Sequence, residues 1–134
     1  MRRFSAALVI FLLSGCVTVE DRAGLKPSDL NGAPSQYDGK QVDVAGWMIL
    51  ESEEVALWDT RADRDKNQDP RRCVSLLVPK DVAQSLASLN RSEVSISGVF
   101  HASVEDFKPM MFIGLCNVSA IELHESEEVR AIRP

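Results

Sequence analysis

The chain has 134 residues, 45% of them hydrophobic, enough apolar material for one compact core and too short for two ordinary domains. Its 15 basic and 20 acidic residues give a formal net charge of −5, and an acidic chain without clustered Lys and Arg lacks the counterion-releasing surface that nucleic-acid binding needs. Nucleic acid is therefore excluded as an expected partner.

The chain opens with the basic start Met1-Arg2-Arg3, followed by a mostly apolar run from Phe4 to Leu13. That run is too short for a stop-transfer helix. It ends in Leu13-Ser14-Gly15-Cys16, and the three features together resemble the lipobox of bacterial lipoproteins. The resemblance implies that residues 1–15 are a signal peptide cleaved before Cys16. It also implies that the Cys16 thiol carries diacylglycerol and that the mature chain is a lipoprotein held to a membrane of the cell envelope by its acyl chains, palmitate among them. Several chains give durable anchoring at about 0.8 kcal/mol per buried methylene. Val17 replaces the aspartate that retains many lipoproteins in an inner membrane, so an outer-membrane anchor facing the periplasm is expected where the cell has two membranes. Cleavage leaves 119 residues with 13 basic and 20 acidic side chains, a net charge of −7.

Residues 16–36 are expected to form the acylated cysteine and a solvated tether, because 17–26 show little apolar periodicity. Within it, Pro27-Ser28-Asp29-Leu30 caps at most a single helical turn before Gly32 and Pro34 break it. A domain is expected over 37–124. The Tyr37-Asp38-Gly39-Lys40 turn, whose Asp-Gly pair tolerates positive φ, leads into a strand from Gln41 to Glu51. Alternation there puts Val42, Val44, Gly46, Met48 and Leu50 on one face and Asp43, Ala45, Trp47 and Ile49 on the other. Gly46 inside so long a strand marks a bend. The acidic turn at 51–54 returns the chain as a second strand through Val55, Ala56, Leu57 and Trp58.

A polar loop from Asp59 to Arg72 follows, then a third strand over 73–78 stopped by Pro79. Val82, Leu86 and Leu89 recur at helical spacing over 80–89, and Asp81 suits the first turn of a short amphipathic helix. Ser92 to His101 alternates as a fourth strand, and Met110 to Leu123 reads as a long fifth containing Cys116. Residues 125–134 are charged and expected to fray as a C-terminal tail.

With Cys16 acylated, Cys73 and Cys116 remain, an even number in an oxidising compartment, and they are expected to pair. The alternatives are two buried thiols, or a metal site with His101 and His124. The spacing of these four residues matches no zinc pattern, so no metal or other cofactor is expected.

Three strands, a helix and two further strands, with a glycine-bent first strand, resemble the OB-fold, a five-stranded partly open barrel. The expected class is thus all-β with one short helix, with a small β-sandwich as the alternative. The resemblance makes the third and fifth strands neighbours across the barrel's weakest seam, where a Cys73–Cys116 disulfide would act as a staple. It also implies a ligand surface on the second and third strands, in which Trp58 with Arg61 and Arg72 would form an aromatic platform with a cationic rim. Against this stands a reading in which Trp47 and Trp58 simply fill the two ends of a small core.

The run from Asp63 to Asp69 places oxygen ligands at alternate positions, as an EF-hand does. Its sixth residue is Gln68 rather than Gly and its twelfth is Val74 rather than Glu, so a solvated, self-compensating loop is expected. No nucleophile elbow, metalloprotease motif or phosphate-cradling glycine loop is present, and the protein is expected not to be an enzyme. The leading functional expectation is a lipid-anchored envelope module that binds a protein or small ligand. The alternatives are a structural subunit of an envelope complex, or a hydrolase inhibitor acting through the 59–72 loop.

Overall fold

The computed structural model describes residues 24–105, 116 and 118–132. The expected signal peptide, Cys16 and most of the expected segment from Met110 lie outside these residues. The described residues form, in chain order, α1 (Pro27–Gly32), α2 (Pro34–Tyr37), β1 (Gln41–Glu51), β2 (Glu54–Trp58), β3 (Cys73–Leu77), α3 (Lys80–Ser85), β4 (Ser92–His101), β5 (Ala120–Glu122) and β6 (Val129–Ala131).

The sheet runs β1-β2-β3-β5-β4, and β4 pairs back onto β1 to close a five-stranded barrel, with β6 added beside β4. This is the OB-like architecture, and the closing ladder rules out the sandwich alternative. All pairs are antiparallel except β3–β5, which are parallel over three residues with Ser75 opposite Ala120. One side of β1 pairs with β4 from Gln41 to Met48, while the other takes β2 from Trp47 to Glu51.

Gly46 lies where β1 turns from one partner to the other. A Cβ there would collide with the Trp58 carbonyl oxygen and approach Leu57 Cγ to 2.9 Å. Gly98 does the same for β4, where a Cβ would come within 2.7 Å of the Glu122 carbonyl oxygen. Missing side chains at these two corners let the strands cross closely enough to close the barrel.

The expected inward row of β1 is confirmed: Val44 and Met48 are fully buried beside Leu57, Val74, Ile96, Phe100 and Ile121. Val82 of α3 and the following Leu86 join the same core, so the short amphipathic helix seals the end at which β3 stops. Burying side chains of this size contributes about 1.5–3 kcal/mol each. Asn90 Oδ1 then accepts from the Leu50 amide at 2.8 Å, and Arg91, at φ 57°, donates its amide to the Met48 carbonyl. The Tyr37–Lys40 turn forms as expected, with Gly39 at φ +73° and its amide donating to the Phe100 carbonyl.

Both chain ends correct the sequence reading. Leu25 forms a parallel bridge to Val44 on the stretch of β1 that β2 leaves uncovered, and Leu30 of α1 is fully buried in the core. The segment from Leu25 to Gln36 is thus part of the domain rather than tether. The single turn expected at Pro27 is two helices: Gly32 ends the first, and after Ala33 Pro34 stands at the first position of the second instead of breaking the helical run. At the other end, Val129 is buried and opposes Ile96, so the expected frayed tail supplies β6. One apolar residue among charges carries this strand, and Glu128 Oε1 fixes the approach by accepting from the His124 and Glu125 amides at 2.8 and 2.7 Å.

A disulfide joins Cys73 to Cys116, with Cα atoms 5.3 Å apart. It removes both the free-thiol and the metal alternatives for these cysteines. Cys116 is a bend residue preceding β5, not part of that ladder, so the bond holds the approach to the β3–β5 seam.

Candidate functional site

The outward residues of β1, β2 and β3 form a second apolar cluster. Register sets Trp47 opposite Trp58, Ile49 opposite Ala56 and Cys73 opposite Trp58. Ile49, Ala56, Trp58 and Cys73 are all buried, with Trp47 and Cys116 partly buried against them. The two tryptophans therefore share one flank rather than filling opposite ends of the core.

The 59–72 loop lies across this flank and is folded; most of it is exposed and its charges pair within it, as expected, but Asp59 and Asp63 are buried. It contains a π-helical turn at Asp63–Asn67 and a 3-10 turn at Pro70–Arg72. Gln68 at φ 45° closes the first of these by donating its amide to the Asp63 carbonyl at 2.8 Å. From that turn Arg64 reaches back to the start of β2, with Nε and Nη2 donating to Glu54 Oε2 at 3.3 and 3.0 Å. The same carboxylate's Oε1 accepts the Trp58 indole N–H at 2.7 Å. Glu54 thus ties the loop to the buried tryptophan.

At the base of the loop, the buried Asp63 accepts from Thr60 Oγ1 at 2.7 Å and Asn67 Nδ2 at 3.1 Å. Buried Asp59 accepts the Ser28 amide of α1 at 2.9 Å. Arg72 faces both carboxylates, 3.7 Å from Asp59 and 3.6 Å from Asp63. The Thr60 hydroxyl, followed by Asn67 and the Arg72 charge, holds the Asp63 carboxyl below its ordinary range against the opposing effect of burial. Asn31 of α1 completes the anchorage, donating to the Arg71 and Cys73 carbonyls at 2.9 and 2.8 Å and accepting from Ser119 Oγ at 2.6 Å.

The three expected ligand residues separate on this geometry. Trp58 is 1% exposed and cannot offer a ring face. Arg72 is the counter-ion of two buried carboxylates. Arg61 is the more exposed of the two arginines, 71% against 51% for Arg72, with Nε donating to Asp65 Oδ2 at 3.2 Å and its guanidinium 5.5 Å from the centre of the Trp47 ring. Asp65 is held below its ordinary range by hydrogen bonds from Arg64 first and Arg61 second. The contact between a guanidinium and an indole is thus made on Trp47 rather than Trp58, and strand alternation with the hairpin register places Trp47 there. What the sequence hid was the covering loop.

Elsewhere, His101 Nε2 lies 2.8 Å from Glu122 Oε2, and His124 Nε2 lies 3.5 Å from the other oxygen of the same carboxylate. This group joins β4, β5 and the chain leading to β6; sequence spacing gave no sign of it. Among the described residues no three His, Cys, Asp or Glu side chains are grouped so as to hold a metal ion, and no helix is long and apolar enough to cross a membrane. No protein-family model, curated protein or solved structure matches the chain.

Proposed function

We propose that the protein is a non-enzymatic binding module of the bacterial cell envelope, anchored by acylation of Cys16, that recognises a partner protein through the flank bearing Arg61 and Trp47. One observation carries the recognition surface: an exposed guanidinium is stacked on an indole and fixed by a carboxylate within a hydrogen-bonded loop. Arg and Trp dominate the energetic centres of protein interfaces. A loop already held in one conformation loses little entropy on docking. Stacking at an exposed site contributes only about 0.5–1 kcal/mol to the free protein, so the arrangement contributes more to presentation than to stability.

A photo-crosslinking residue at the exposed Ala62, used in native membranes, tests the proposal. The expected product is a discrete protein adduct that disappears in Arg61→Ala and persists in Trp58→Phe. Trp58→Phe instead removes a buried charge-assisted hydrogen bond and costs the fold about 1.5–3 kcal/mol. An adduct pattern unchanged by Arg61→Ala would overturn the assignment of this flank.

A further inference from the structure

The 59–72 loop covers the outer face of the barrel on the Trp58 side, but beyond Trp47 that face runs on across β1, β4 and β6 without a cover. Strand register builds it in rows. Trp47 opposes Glu93 of β4, and Ile132, just past β6, donates its amide to the Glu93 carbonyl at 3.0 Å, so these three side chains share one outward row. Ala45, Ser95 and Arg130 form the next row in the same way. None of the six is buried, and Ile132 is 41% exposed. With neighbouring strands about 4.8 Å apart, Trp47 and Ile132 stand roughly 10 Å from each other, two apolar side chains with a carboxylate between them and a low floor of Ala45 and Ser95 alongside.

Glu93 sets the chemistry of whatever covers this face. Arg61 is engaged with Asp65 and Trp47, and Arg91 with Glu51. Arg130 lies on the diagonal of the β4–β6 ladder, and among the described residues the Glu93 side chain makes no hydrogen bond or ion pair with it or with any other group. Apolar surface laid over an unpaired carboxylate strips its water and returns nothing, so a partner packed on Trp47 and Ile132 must bring a cation to Glu93. The net charge of −5 steers a basic partner toward the protein in the same sense.

We infer that the partner surface at Arg61 and Trp47 extends across β4 to Ile132, and that it takes a segment of the partner protein in which a Lys or Arg, set between apolar side chains, meets Glu93. This inference rests on the reading of the Arg61–Trp47 flank given above. It gives β6 a part in recognition: buried Val129 holds the strand against β4, and the same strand delivers Ile132 to the far side of the surface.

The test uses the full-length protein in native membranes, with p-benzoylphenylalanine at Ser95 or at Ala62. Mass spectrometry identifies the protein captured at each position and the partner peptide attached at Ser95. The expected result is the same partner at both positions, attached at Ser95 through a peptide that carries Lys or Arg next to an apolar residue. The Ser95 adduct should fall at least fivefold in Glu93→Gln and in Ile132→Ser, whose parent side chains are exposed, and should be unchanged in Arg130→Gln. An adduct at Ala62 with none at Ser95, or a Ser95 adduct indifferent to Glu93→Gln or Ile132→Ser, overturns the extension and leaves the flank standing. So does a Ser95 adduct with a second copy of this chain, an attached peptide without a basic residue, or a loss in Arg130→Gln equal to that in Glu93→Gln. Absence of an adduct at Ala62 overturns the flank and its extension together.

Discussion

Reducing the Cys73–Cys116 disulfide should remove about 4 kcal/mol of stability. The bond closes a loop of 43 residues, and the chain-entropy relation gives that figure for this length at 25 °C. The location makes the loss consequential, since β3 and β5 share a parallel ladder of only three residue pairs, flanked by single hydrogen bonds from Ser75 to Ser119 and from Leu123 to Leu77. Chemical reduction is cleaner than substitution, because the thiols keep the sulfur volume beside the buried Trp58 and open no cavity. Urea titrations with and without reductant should differ by that amount, and the thermal midpoint should fall by on the order of 15 °C. Hydrogen exchange should show the amides of Ser75 to Leu77 losing protection before those of the long β1–β4 ladder. A difference below about 1 kcal/mol, or a seam as protected as β1–β4 after reduction, would refute the view of this bond as a staple.

Gly46→Ala should destabilise by about 1–3 kcal/mol in the same titration, because the obstacles to a new Cβ are the Trp58 carbonyl and the Leu57 side chain at a barrel corner. Gly32→Ala is the control: a Cβ there meets nothing within 4 Å, and the change should be neutral or stabilising by up to about 1 kcal/mol. Asp63 fixes a pH dependence. Its carboxyl titrates below the ordinary value in the folded protein, so its contribution is fully present above the ordinary carboxylate range and is lost as pH falls through the lowered folded value. Stability measured from pH 6 down to pH 2 should therefore decline less steeply in Asp63→Asn than in the parent; identical slopes would show that this carboxylate is not a source of the acid sensitivity.

Strand alternation over 41–51 and 92–101, the helical spacing of Val82 and Leu86, the Asp38-Gly39 turn and the bend at Gly46 were all legible because each is a local pattern. The barrel itself was expected only through the resemblance of the strand order to the OB-fold. Leu25 and Leu30 were not legible: neither belongs to a periodic run, and their burial depends on an uncovered stretch of β1 and on a barrel end that exist only after the fold forms. Val129 was hidden in the same way among charged neighbours. The 59–72 loop misled most, since its alternating charges read as solvation when two of the carboxylates are buried. The decisive partners of Asp59 lie in α1 and at the far end of the loop, and Glu54 is met by Arg64 from the middle of it, beyond the reach of spacing. For the candidate surface, the expected Trp58 is buried and the guanidinium contact is made on Trp47. Outward alternation places Trp47 and Trp58 on one flank, but only the path of the loop decides which ring is covered.

The recruitment of both chain ends as covering strips bears on how the domain keeps to itself. The bridge at Leu25 and the β6 pairing each occupy hydrogen-bonding groups of long strands that the five-stranded ring leaves vacant, β1 in one case and β4 in the other. Trimming the chain to the stretch from Tyr37 to His124 would bare those ladders and present ready templates for edge-to-edge aggregation. The seemingly dispensable tails act as safeguards against self-association, most of all where many copies crowd together.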